Sequence, residues 1–100
     1  MSRTITIPPG ARVEARIVSQ DGDAEVVILP PGAASVHDVL GRKPALNANV
    51  THDLGTAWPD AFGCQLAQAA IDDGGFVLLQ FQSAADAADC VRRLRSGWEA

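Results

Sequence analysis

RVEARIVSQDGDAEVVIL, residues 12 to 29, decides the fold. From Arg12 to Val18 polar and apolar residues alternate. Val13, Ala15 and Ile17 point one way, and Arg12, Glu14 and Arg16 the other, the pattern of a strand with one solvated face. Ser19-Gln20-Asp21-Gly22-Asp23 then reads as a hairpin loop, because Asp-Gly supplies the positive φ that tight turns need. Ala24 to Leu29 returns as a partner strand whose Val26, Val27 and Ile28 suit a pleated surface. A hairpin therefore stands near the start of the chain.

Working outward, Arg3 to Ile7 also alternates, and Pro8-Pro9-Gly10 stops it. Leu29 is followed by a similar stop, Pro30-Pro31-Gly32. Ser35 caps a short helix through Leu40, and Gly41 ends it. Residues 42 to 58 read as a long irregular loop in which a short strand near Ala48 to Thr51 could hide. Loops of that length in small domains are often functional. Pro59 suits the first turn of a helix running to Asp72 and closed by Gly74-Gly75. Phe62, Leu66, Ala69 and Ala70 form one apolar face of that helix. Cys64, Ala67 and Ile71 widen it past half the circumference, which predicts the most buried helix of the chain. Phe76 to Phe81 is apolar on both sides, as a central strand is. Ser83 opens the last helix, with Asp86 as a shortened capping box. Ala87, Val91, Leu94 and Trp98 give that helix a core-facing seam, and Gly97 stops it.

The expected order is β-β-β-α-α-β-α. It predicts an α+β, two-layer sandwich: a mostly antiparallel four-stranded sheet with two long helices on one face. At 100 residues, residues 1 to 100 read as a single domain. With 47% hydrophobic and 20% charged residues, the composition is that of a globular protein. An apolar run such as Phe76 to Leu79 is far shorter than the ~18 residues of a membrane span. The opening MSRTITIPPG has no apolar h-region, so a cytoplasmic location is expected.

The net charge of −4 is unevenly placed. The first fifty residues balance. Between Pro44 and Val91 there is no Lys or Arg, yet Asp53, Asp60, Asp72, Asp73, Asp86 and Asp89 all fall there. Such a surface repels a phosphate backbone and attracts a basic partner.

The residues that could carry chemistry are few. Cys64 as nucleophile, His52 or His37 as base, and Asp53 or Asp38 as orienter would make a cysteine enzyme. Against it, Cys64 and Cys90 both lie in apolar helical stretches, where a free thiol packs as a small hydrophobe. His37-Asp38 and His52-Asp53 lack the spacing of a metal motif. Gly74-Gly75 follows a helix and precedes a strand, the reverse of a dinucleotide-binding turn. No catalytic, metal-binding or cofactor-binding residue is therefore assigned, and no cofactor is expected. Arg92, Arg93 and Arg95 form the basic cluster. They complement the C-terminal end of a helix dipole, and Asp89 stands one turn before them, so direct nucleic-acid binding is disfavoured.

In size and charge the chain resembles stoichiometric inhibitors such as toxin-immunity proteins and phage anti-defence proteins, anti-CRISPR proteins among them. No motif carries that resemblance, so no residue role transfers from it. It implies a non-enzymatic module that occupies the surface of a protein partner, basic or part of a nucleoprotein complex, as inhibitor or adaptor. Asp72, Asp73, Asp86, Asp89, Trp58, His52 and Asp53 are the expected contact residues. A homodimer is compatible with this reading. The alternatives are a small enzyme using Cys64, His52 and Asp53, and a weak nucleic-acid binder using Arg92, Arg93 and Arg95.

Overall fold

The computed structural model describes residues 6–32, 36–39, 41–50 and 64–97. Strand β1 spans Arg12–Ile17 and β2 spans Ala24–Leu29. They pair antiparallel, Arg12 opposite Leu29 and Ile17 opposite Ala24. The Val18 amide closes the hairpin on the Asp23 carbonyl at 2.9 Å, and Gly22 in the loop has φ 97°, the left-handed region its sequence predicts. A short 3-10 turn, Val36–Asp38, stands where a short helix from Ser35 to Leu40 is expected; Ser35 and Leu40 themselves lie outside the described residues.

Strand β3, Leu46–Val50, lies within the stretch expected as irregular loop. Residues 42 to 58 are thus not structureless throughout, and 51 to 58 lie outside the described residues. Helix α1 spans Cys64–Asp72, β4 spans Val77–Phe81 and helix α2 spans Ala84–Arg95. The expected helix start at Pro59 and the core residue Phe62 also fall outside the described residues. So do residues 3 to 5 of the expected first strand, while residues 6 to 8 carry no regular structure.

The sheet order is β1-β2-β4-β3. β2 pairs antiparallel with β4, and β3 pairs parallel with β4. The sheet is mixed and mostly antiparallel, in an α+β fold. The parallel pair exists because α1 carries the chain back across the sheet between β3 and β4, as a parallel pair requires. The return is tight. A Cβ on Gly75 would lie 2.5 Å from the Cβ of Ala45, so only glycine fits there. The Gly75 amide bonds Ala70 O at 2.9 Å, and the Ala45 amide bonds Phe76 O at 2.9 Å.

Both helices pack on one face. Val13, Val26, Ile28, Val77, Leu79 and Phe81 meet Ala67 and Ile71 of α1 and Ala87, Cys90, Val91 and Leu94 of α2 in one apolar cluster. On the other face Val27, Leu29, Phe76 and Leu78 pack with Val39 from the segment after the 3-10 turn. β2 and β4, the two central strands, therefore bury apolar residues on both faces. The seam Ala87, Val91, Leu94 is buried as its spacing predicts, and Trp98 lies outside the described residues.

Helix α1 departs from expectation. Leu66 is 66% exposed and Ala69 is also exposed, whereas Ala67 and Ile71 are the buried pair. The helix is apolar over so much of its circumference that periodicity allowed two docking faces. The i, i+4 pair Ala67/Ile71 faces the sheet, and Leu66 is turned to solvent.

Candidate interaction surfaces

Of the six aspartates of the base-free stretch, Asp72, Asp73, Asp86 and Asp89 are described and occupy two different settings; Asp60 lies outside the described residues. Asp86 sits in the first turn of α2, where its own amide donates to Ser83 Oγ at 3.4 Å and its charge complements the helix N-terminus. Asp89 is held by two arginines of the same helix, Arg92 and Arg93, the latter at 2.9 Å. The hydrogen bond from Arg92 holds the Asp89 carboxyl below the usual carboxylate range. Both acids are thus engaged by their own helix. Asp72 and Asp73 differ in making no ion pair among the described residues. They stand exposed at the C-terminal end of α1, whose last turn carries no base. There the helix dipole presents its negative end, which disfavours a negative charge at either position. Asp72 accepts from Gln68 Nε2 at 3.0 Å, and the same amide's oxygen accepts from the Thr6 amide at 2.9 Å. His52, Asp53 and Trp58 lie outside the described residues.

Leu66 and Ala69 are exposed on α1 in the two turns before these acids. At 100° per residue, Leu66, Ala69 and Asp73 fall on one stripe, spaced i, i+3 and i+7. Sequence reasoning placed Leu66 in the core and so missed this stripe. No sequence signal distinguishes it, because Ala67 and Ile71 offer an equally apolar face.

The two cysteines also separate. Cys90 is fully buried, and burial pushes its thiol up to about 12. A thiol so far from ionisation is no nucleophile at neutral pH. Cys64 opens α1, and its side chain lies outside the described residues. His37 is exposed. Among the described residues no three of His, Cys, Asp and Glu gather as a metal site would need. The basic cluster is tied down from within: Arg92 and Arg93 on Asp89, and Arg95 Nη2 on the Val13 carbonyl at 2.9 Å.

The sheet adds features that composition could not show. Glu25, central in the sheet and nearly buried, is paired with Arg16 at 3.1 Å. Strand β1 lies at one edge of the sheet. Of its inward-pointing row only Val13 is buried; Ala15 is exposed and Ile17 is 70% exposed. A groove of about 400 Å³ runs past the N-terminal end of β1, lined by Ile7, Pro8, Ala11, Val13 and Arg95 among others. Among the described residues no helix is long and apolar enough to cross a membrane.

The chain matches no protein-family model, no curated protein and no solved structure.

Proposed function

We propose that this protein is a non-enzymatic protein-binding module that acts in the cytoplasm by occupying a partner's surface, as a stoichiometric inhibitor or adaptor of the immunity or phage anti-defence kind. The contact surface is the outer side of α1. The observation that carries this reading is Leu66, 66% exposed on α1 about two turns before Asp72 and Asp73, which stand at a helix end where acids are unfavourable. An exposed apolar residue with charged neighbours is the usual make-up of a binding patch, an anchor with a polar rim. A partner with an apolar pocket and a basic border fits it, whether a basic protein or the protein part of a nucleoprotein complex.

The test is paired capture from a lysate with the tagged protein and its Leu66→Asp variant, followed by mass spectrometry. A stoichiometric basic protein retained by the wild type and lost with Leu66→Asp supports the reading. A partner captured equally by both forms places the contact elsewhere.

A further inference from the structure

We propose that the outer edge of β1 pairs with the β1 edge of a second copy, so that two four-stranded sheets join across a twofold axis. This surface is independent of α1, and the inference stands or falls without it. Three observations lead to it. First, the Val18 amide bonds Asp23 O, which fixes the alternation of the ladder. The backbone groups of Arg12, Glu14 and Arg16 turn toward β2, and those of Val13, Ala15 and Ile17 turn outward. The Val13 carbonyl confirms the direction, since it is the one that Arg95 reaches from outside the sheet. Among the described residues no strand pairs with this edge.

Second, the register centred on Ala15 is self-complementary. With Ala15 opposite Ala15 of the second copy, Glu14 faces Arg16 and Arg16 faces Glu14 on one side of the sheet. Val13 faces Ile17 and Ile17 faces Val13 on the other. The neighbouring registers with the same twofold fail on charge. Centring on Glu14 opposes Glu14 to itself and Arg12 to Arg16, and centring on Arg16 opposes Arg16 to itself; like charges directly across a ladder are destabilising. In the Ala15 register the outward amides and carbonyls of both Ala15 residues face each other, as a hydrogen-bonded antiparallel pair requires. The Val13 carbonyl has a second lone pair for the Ile17 amide of the other copy beside Arg95. Arg16 then stands between Glu25 of its own chain and Glu14 of the other.

Third, the same register places what is exposed into what is open. Ile17 is 70% and Val18 46% exposed. The twofold carries Ile17 to Val13 of the second copy, where the groove lined by Ile7, Pro8, Ala11 and Val13 runs, and sets Val18 opposite Arg12 on the other face. An exposed apolar edge of this kind is a template for strand addition.

Sedimentation equilibrium between a few and several hundred micromolar tests the proposal. An edge pairing of this length belongs with small, transient interfaces, so dimerisation is expected on the order of tens of micromolar. Ala15→Pro removes an outward amide and leaves the β1–β2 ladder intact. Ile17→Asp changes an exposed side chain. Each is expected to weaken the dimer at least about tenfold, with the monomer's circular dichroism unchanged. Glu14→Lys opposes Lys to Arg16 twice and weakens it as well. Ala15→Cys, in a chain carrying Cys64→Ser, fixes the register: it cross-links the dimer on mild oxidation, and Glu14→Cys in the same background does not. A chain that stays monomeric to several hundred micromolar overturns the proposal. So does a dimer that withstands both Ala15→Pro and Ile17→Asp, or one that Leu66→Asp dissolves instead.

Discussion

Helices α1 and α2 pack on the same face of the same sheet, yet they are built by opposite rules. α2 begins with a serine cap and an acid and ends with Arg92, Arg93 and Arg95, each charge matched to the dipole. It buries Ala87, Cys90, Val91 and Leu94. α1, among its described residues, buries Ala67 and Ile71, leaves Leu66 in solvent and ends in Asp72 with Asp73 just beyond. The charges at the two ends of α2 match its dipole, and those at the end of α1 oppose it. When two elements share a scaffold and one carries unfavourable residues, those residues are the ones whose presence stability does not explain. Such conflicts concentrate at functional surfaces.

The largest expected contrast is between two leucines. Leu94 is fully buried among β1, β2 and α2 side chains, and Leu94→Ala is expected to cost about 2–5 kcal/mol. Leu66→Ala is expected to cost under about 0.5 kcal/mol, as an exposed substitution does. Urea denaturation of the two variants checks both figures. If Leu66→Ala costs as much as Leu94→Ala, α1 docks through Leu66 in solution and the outer stripe does not exist.

A second contrast concerns titration. Among the described residues Cys90 is the buried thiol, pushed up to about 12 in the folded chain. Burial disfavours the thiolate, so the folded state keeps its proton where the unfolded state has lost it. The contribution is unchanged below the unfolded value of about 8.5. Above it the unfolded chain ionises first, and stability falls by up to about 1.4 kcal/mol per pH unit. The fall ends once the folded thiol ionises too. Cys90→Ala is expected to lose some stability at pH 7 and to show a flatter profile between pH 9 and 11. Parallel profiles for wild type and Cys90→Ala would mean that the thiol is solvated. Native Cys90 is likewise expected to resist alkylation at pH 8 until the protein unfolds.

The same two helices show how much of the fold the sequence made legible. The seam of α2 is narrow: its apolar residues recur at i, i+4 and i+7 with charges between, so one face alone could dock. The β1–β2 hairpin is equally plain, since alternation and Asp21-Gly22 agree. α1 is apolar over most of its circumference, and there periodicity picked Leu66 where the sheet took Ala67 and Ile71. β3 was nearly invisible. LNANV has two asparagines, which are poor strand formers, on its polar side. Only the edge position beside β4, with Ala48 turned to the core, makes it a strand. Of the candidate site, Asp72 and Asp73 were legible as a charge excess. Asp86 and Asp89 looked the same in sequence, and only local geometry separates acids whose charge their own helix matches from acids whose charge it does not. The β1 edge was not legible, because an edge is a property of strand order and not of the strand.

The smallest expected effect is the most discriminating. Asp72→Asn with Asp73→Asn removes two negative charges from the negative end of the α1 dipole. Each is worth roughly 0.3–1 kcal/mol at low ionic strength, so the double variant is expected to be more stable than the wild type. Most surface substitutions are neutral or destabilising, so a gain is informative in itself. The gain is expected to shrink with added salt, because at 0.15 M the screening length is about 8 Å. If these acids steer a basic partner, the same variant is expected to associate more slowly at low salt, with its dissociation rate little changed. Stability and association thus move in opposite directions from one substitution, which loss of folding cannot mimic. The control lies on α2. Asp89 bonds Arg92 and Arg93, so Asp89→Asn is expected to lower stability slightly and leave association alone. If Asp72→Asn/Asp73→Asn destabilises the protein, the bond from Gln68 to Asp72 outweighs the dipole, and the acids are structural after all. If it stabilises the protein but leaves association unchanged, the end of α1 is mismatched for a reason other than charge steering, and Leu66 alone is left to define the surface.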